Sequence, residues 1–149
     1  KKGESYCKTK NIEKKEKLLL KLNHRLTNIR TNYLHQISAQ ITGREPRAVC
    51  MEDLNVSRMM KNKHLAKEIQ NQGFYKFEKM MEYKCTRKGI RLIKADRYFP
   101  SSKKCVCCGE IKKDLKLSDR IYRCECGNVI DRDYQAALNL KAYGEESAY

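Results

Sequence analysis

Apolar positions recur at steps of three and four from Asn11 to Ile41. Leu18, Leu22, Leu26, Ile29, Tyr33, Ile37 and Ile41 fall on one helical face. The segment is rich in Leu, Lys and Glu, which are good helix formers. The pattern predicts one long helix, or a bent helical pair, with an apolar stripe set against a basic outer face. The run Gly43 to Pro46 stops it. Ala48-Val-Cys-Met51 then reads as a short buried strand that ends on Glu52-Asp53-Leu54-Asn55. Val56 to Lys63 is polar and basic and is expected to be a loop. A second helix is predicted from Leu65 to Arg87, with Phe74, Phe77 and Met81 as apolar contacts and a bend at Gly73. Gly89 suits a helix C-terminus. Ile90 to Ala95 reads as a strand, and a last helix is expected from Asp133 to Tyr143.

The order helix, strand, helix, strand predicts an α/β chain with a cysteine-rich insert before the last helix. At 149 residues there is room for one compact domain and a small insert. The opening residues, Lys1 to Lys10, are polar, with no apolar pattern ahead of the first helix, so a cut end is expected there. Neither a signal peptide nor an apolar run of the roughly 20 residues a spanning helix needs is present.

Charge narrows the choice of partner. The chain holds 33 Lys and Arg against 18 Asp and Glu, a formal net of +15. A surface this positive calls for an anionic partner, and nucleic acid is the usual one. The bland alternative is a solvated basic face on an accessory protein.

The eight cysteines are not spread evenly. Five fall between positions 105 and 126, in the runs Cys105-Val-Cys107-Cys108-Gly109 and Cys124-Glu-Cys126-Gly127. With no secretory signal, such close pairs read as metal spacing in a reducing cytosol rather than as disulfides. Zinc takes four ligands in a tetrahedron, and thiolates suit it. A glycine after the second cysteine of each pair allows the tight backbone of a metal knuckle. Cys105, Cys108, Cys124 and Cys126 are therefore the expected zinc ligands. Cys107 is the alternative to Cys108, which is preferred because Gly109 follows it. Four ligands fill the shell, so the zinc is structural rather than catalytic. Lys103, Lys104, Lys112, Lys113 and Lys116 can offset the thiolate charge or meet phosphates. Cys7, Cys50 and Cys85 read as small apolar residues.

Carboxylates supply a second candidate chemistry. Glu52 and Asp53 stand at the end of a strand, and Asp131 and Asp133 open the last helix. Carboxylates converging at strand ends can hold Mg²⁺, and paired ions can drive phosphodiester hydrolysis. Asp131 or Asp133 can equally serve as a plain helix cap.

Taken in order, these segments resemble a known family. They are Val49-Cys-Met-Glu52-Asp53-Leu54-Asn55-Val56, Gly73-Phe74-Tyr-Lys-Phe77, Glu82-Tyr83-Lys84 and Ala95-Asp96-Arg97-Tyr98-Phe99-Pro100-Ser101-Ser102-Lys103, then the two cysteine pairs and Asp131-Arg132-Asp133. They resemble the C-terminal part of the OrfB/TnpB-type proteins of bacterial insertion sequences. These are RNA-guided, Mg²⁺-dependent DNA nucleases with a RuvC-like domain of RNase H fold, related to the type V CRISPR effectors.

The resemblance implies a partial RNase H-like domain over residues 1–96, a zinc ribbon insert over 97–130 and the last RuvC-like helix over 131–149. It implies that Glu52 is the second catalytic carboxylate and Asp133 the third, with Asp131 the close alternative, and that both bind magnesium. DNA and a guide RNA are the implied partners of the complete protein, in a bacterial or archaeal cytoplasm at the nucleoid. Two departures matter. The family's first catalytic Asp lies on an earlier Asp-x-Gly strand, whereas this chain has no Asp before Asp53. Gln135 stands where the family usually has Asn. These 149 residues are therefore expected to be inactive alone, and a sheet lacking its first strands leaves exposed edges.

Overall fold

A computed structural model describes residues 9–116 and 118–147. The terminal calls on Lys1 to Lys8, including Cys7, lie outside them. The predicted first helix is a single rod, α1 (Lys10–Gly43), of 34 residues. At 1.5 Å per residue it is about 50 Å long. Only the end of the predicted stripe packs: Ile37 and Ile41 are half-buried, and Ile41 lies against the core. Leu18, Leu26, Ile29 and Tyr33 are 57%, 48%, 56% and 60% exposed, whereas the buried residues of α1 are Ser38 and Thr42. The partner helix covers only the last turns, and small residues let it approach closely. Each hydroxyl is satisfied within the helix, Ser38 donating to the Leu34 carbonyl at 2.6 Å and Thr42 to the Ser38 carbonyl at 2.9 Å.

Strand β1 (Ala48–Glu52) follows. The expected loop beyond it contains a short helix, α2 (Val56–Met60), because Asn55 caps it by accepting from the Arg58 amide at 2.9 Å. The predicted second helix is split in two, α3 (Ala66–Gln72) and α4 (Phe74–Lys88). Gly73 is the break rather than a bend, since its φ of +69° is left-handed. A Cβ at that position would stand 3.0 Å from Leu34 Cδ1 on α1. We expect Gly73→Ala to destabilise the chain by about 1–2 kcal/mol, the cost of the left-handed conformation, read as a lower denaturation midpoint at unchanged m-value. Wild-type stability would mean that the joint adapts freely. Gly89, at φ +66°, ends α4 as expected.

Strand β2 (Arg91–Ala95) pairs parallel with β1, Val49 opposite Leu92 and Glu52 opposite Ala95. Lys76 meets Thr31, Lys84 meets Ser38 and Lys88 meets Glu45, so α4 and α1 run in the same direction. Lys84 is the closest tie, donating at 2.7 Å to both Ser38 Oγ and the His35 carbonyl. Met81, Cys85 and Ile90 form the core, with Val49, Met51, Phe77, Leu92 and Ile41 packed around them.

The opposite face of β1 meets the last helix, α5 (Arg132–Ser147). Successive strand residues point to opposite faces. Cys50 therefore faces α5, where a Cβ on Gly144 would come within 2.8 Å of its own Cβ. The result is a sheet between α1 with α4 on one side and α5 on the other. Among the described residues, β1 and β2 pair only with each other. Between β2 and α5 the insert carries a small antiparallel hairpin, β3 (Ile121–Arg123) and β4 (Val129–Asp131). No helix among the described residues is long and apolar enough to cross a membrane.

Candidate metal centre and carboxylate site

The backbone of the insert makes two tight turns. In the first, the Gly109 amide donates to the Cys105 carbonyl at 2.9 Å; in the second, the Gly127 amide donates to the Cys124 carbonyl at 3.0 Å. Both glycines have positive φ, +78° and +90°. A side chain at either would strain the turn.

These turns bring Cys105, Cys108, Cys124 and Cys126 together, with all four sulfurs within 4.8 Å of one another. Cys105 and Cys126 are 3.7 Å apart, and Cys108 and Cys124 are 3.6 Å apart. Thiolates at about 2.3 Å from a tetrahedral zinc lie about 3.8 Å apart, so the spacing fits such a shell. Cys107 is exposed and outside the group. The tighter Cys124-Glu-Cys126 pair reaches the same focus as the wider one.

Electrostatics point the same way. Burial pushes the Cys105 thiol up, but the Cys108 and Cys107 amides and the Asn128 side chain outweigh it and bring the thiol down to about 6. The Asn128 amide favours the Cys126 thiolate, but the neighbouring Cys124, Cys108 and Cys105 thiols push Cys126 up to about 12. Four thiolates crowded together repel one another, and a divalent cation relieves that repulsion. Two of the lysines expected to balance this charge are engaged elsewhere. Lys104 lies 5.9 Å over the Phe99 ring, and Lys112 donates to the Arg123 carbonyl at 3.3 Å.

Three residues spaced by four along α5 dock the insert: Gln135, Asn139 and Tyr143. Gln135 is fully buried and accepts from Asn128 Nδ2 at 2.9 Å, and Asn128 in turn lies 3.5 Å from Cys105 Sγ. Asn139 Nδ2 donates at 2.7 Å to the carbonyls of Ser101 and Lys104. Tyr143 packs at a tilt against Phe99, ring centroids 4.8 Å apart, and its hydroxyl oxygen accepts from the Asp96 amide. Tyr122, 1% exposed, donates to the Lys103 carbonyl and fills the insert's interior.

The carboxylates take different places. Glu52 stands exposed at the C-terminal end of β1, with Oε1 accepting from Ser101 Oγ at 2.7 Å. Asp53 is paired with Arg97. Asp96 accepts from the Tyr98 amide and closes its own turn. Asp131 is the helix cap, since its Oδ1 accepts from the Asp133 and Tyr134 amides, both at 2.9 Å. Asp133 is 74% exposed, with Arg132 and Arg120 at 3.9 and 4.0 Å. Among the described residues, the four cysteines are the one set of three or more potential ligand side chains that converges. Sequence reasoning missed Ser101, Asn128 and Asn139. Ser101 lay inside a quoted motif, but nothing in the pattern linked it to Glu52.

Residues 74–140, which hold all four cysteines and Asp133, match the family of Cas12f1-like TNB domains. The chain is 39% identical to a protein of Streptomyces pristinaespiralis named as an RNA-guided DNA endonuclease, over 90% of this chain and 33% of that protein. It is 29% identical to the CRISPR-associated endodeoxyribonuclease Cas12f1 of Sulfoacidibacillus thermotolerans, over 86% of this chain and 30% of the other. A solved Cas12f1–sgRNA–target DNA complex superposes with a TM-score of 0.63 at 22% identity, over 88% of this chain and 40% of the other. That likeness shows a shared fold. The chain thus spans about a third of the length of these curated relatives. Residues 74–140 are thus similar to a Cas12f1-like TNB domain, and the chain resembles RNA-guided DNA endonucleases, InsQ of Escherichia coli among them, as its motifs indicated.

Proposed function

We propose that this chain is the C-terminal part of a transposon-associated, RNA-guided, Mg²⁺-dependent DNA endonuclease. The observation that carries the reading is the order of parts. A parallel strand ends on Glu52, a four-cysteine insert follows β2, and the helix after that insert opens on Asp133. Sheet and flanking helices make up a partial RuvC-like domain over 1–96, with the ribbon over 97–130 and the last RuvC-like helix over 131–149.

Zn²⁺ is the metal of Cys105, Cys108, Cys124 and Cys126, held as a structural ion because the shell is full. Glu52 and Asp133 present hard oxygen donors, which suit Mg²⁺. Mg²⁺ bound there supplies charge stabilisation at the scissile phosphodiester. Within this chain, Ser101 fixes one oxygen of Glu52, and Asp131 fixes the first turn that bears Asp133. The remaining carboxylate, the family's first, comes from an upstream Asp-x-Gly strand. DNA and a guide RNA are the partners. The direct test is guide-dependent cleavage of matching DNA by these residues joined to such an upstream segment. Absence of cleavage across guides from the same locus would refute the reading.

A second reading is a nucleic-acid-binding ribbon protein without catalysis. It is favoured by the lack of any converging set of three carboxylates among the described residues. Both readings share one expectation, because the charge of +15 attracts phosphates. Binding of this chain to DNA should weaken roughly a hundredfold between about 50 and 200 mM salt, the slope of about four phosphate contacts, with little sequence preference. Fluorescence anisotropy reads it, and a flat response would exclude electrostatic binding.

A further inference from the structure

Glu52 is an exposed carboxylate at the end of a strand. An exposed glutamate ordinarily samples several rotamers and loses up to about 2 kcal/mol of side-chain entropy when fixed. A group that must meet a cation or a reacting phosphate gains from being fixed beforehand. Its Oε1 is held by the Ser101 hydroxyl at 2.7 Å. Its Oε2 has no hydrogen-bond partner among the described residues, so one oxygen is anchored and the other is available.

The anchor is itself immobilised. Ser101 is 5% exposed. Its amide donates to the Phe99 carbonyl at 2.8 Å, and its carbonyl accepts from Asn139 Nδ2 at 2.7 Å. Asn139 is 4% exposed and also grips the Lys104 carbonyl, one residue before the first cysteine ligand. The same helix holds Gln135 on Asn128 beside Cys105. A continuous path of hydrogen bonds and one rigid helix thus joins the cysteine cluster to the strand-end carboxylate.

We propose that Ser101 is a positioning residue that orients Glu52, and that Asn139 transmits the fixed geometry of the metal-bound insert to it. The assignment rests on the reading of Glu52 as a metal-binding carboxylate. It adds a role for the insert, which bears on the carboxylate site through Asn139 and Ser101 as well as folding around its own ion.

Two measurements test it. In this chain, selectively ¹³Cδ-labelled glutamate gives a carboxyl signal for Glu52, identified by its loss in Glu52→Ala. Ser101→Ala should move that signal, and Ser101→Thr, which keeps the hydroxyl, should restore it, with metal content unchanged in both. If Ser101→Ala does not fold, Ser101→Gly removes the same hydroxyl. In the chain joined to its upstream segment, Ser101→Ala should lower kcat for DNA cleavage about 10-fold to 100-fold, the range for loss of a group supporting a metal ligand, with KM for DNA unchanged. Ser101→Thr should stay within about twofold of wild type, well short of that range. An unmoved Glu52 signal in the hydroxyl-free variant overturns the proposal. So does a cleavage rate that Ser101→Thr fails to rescue. If Glu52→Ala itself cleaves normally, the nuclease reading of Glu52 fails, while the labelled signal still reports whether Ser101 holds the carboxylate.

Discussion

Replacing Cys105 or Cys124 with serine should release one metal ion per chain and unfold residues 97–130, whereas Cys107→Ser should do neither. The sulfurs of Cys105, Cys108, Cys124 and Cys126 lie within 4.8 Å of one another, and Cys107 is outside the group. Apart from its docking on Gln135, Asn139 and Tyr143 of α5, the insert has little else to hold it. Its hairpin pairs three residues with three, and the buried hydrophobic residues of 97–130 are Cys105 and Tyr122. Isolated hairpins of that size are at best marginally stable. Structural zinc in small modules contributes about 10–16 kcal/mol of apparent binding free energy, which far exceeds what Tyr122 can supply. Metal analysis together with amide exchange across residues 97–130 checks it, and stripping the metal with a chelator should match the serine variants. Metal retained in Cys108→Ser but lost in Cys107→Ser would move the ligand assignment to Cys107.

The second large effect concerns catalysis. These 149 residues should show no DNA cleavage with or without Mg²⁺. Two carboxylates fall short of the oxygen set that holds two ions about 4 Å apart. With the upstream strand joined, cleavage should appear, and Glu52→Ala or Asp133→Ala should each reduce it at least about a thousandfold. That factor is about 4 kcal/mol of lost charge stabilisation at the transition state.

Asp131→Ala should behave differently, because both recorded bonds of its carboxylate go to helix amides. Losing a cap costs about 1 kcal/mol, seen as lower thermal stability with much of the cleavage retained. The reverse pattern, with Asp131→Ala dead and Asp133→Ala active, would make Asp131 the ligand. Cleavage by the bare chain would show that Asp53 or Asp96 completes a site, although Arg97 already pairs with Asp53 and Asp96 closes a turn.

The long helices and the two parallel strands were legible because their signals are local, whereas the three-residue strands β3 and β4 carried no pattern that predicted them. Gly89 stops α4, the apolar run Ala48 to Met51 is β1, and each cysteine pair precedes a glycine with positive φ. A metal knuckle is a few consecutive residues, so spacing along the chain constrains spacing in space. Asn55 was a local signal read too weakly, and α2 follows from it.

What the chain order could not decide was which surface meets which. Periodicity marked an apolar face on α1, yet the helix buries Ser38 and Thr42, because which face α4 covers depends on residues some forty positions away. Asp131 and Asp133 are indistinguishable by type and nearly so by position. The path of the chain into α5 turned one toward the helix amides and left the other exposed. Ser101 and Glu52 are 49 positions apart and meet through β1, the 96–104 segment and Asn139 of α5. Sequence therefore determined the main elements, the clustering of the four cysteines and the charge, all set by neighbours along the chain. Tertiary packing alone decided the orientation of the carboxylates and the polar path from Glu52 toward the cysteine cluster, because those bonds join groups that only the folded backbone brings within 3 Å.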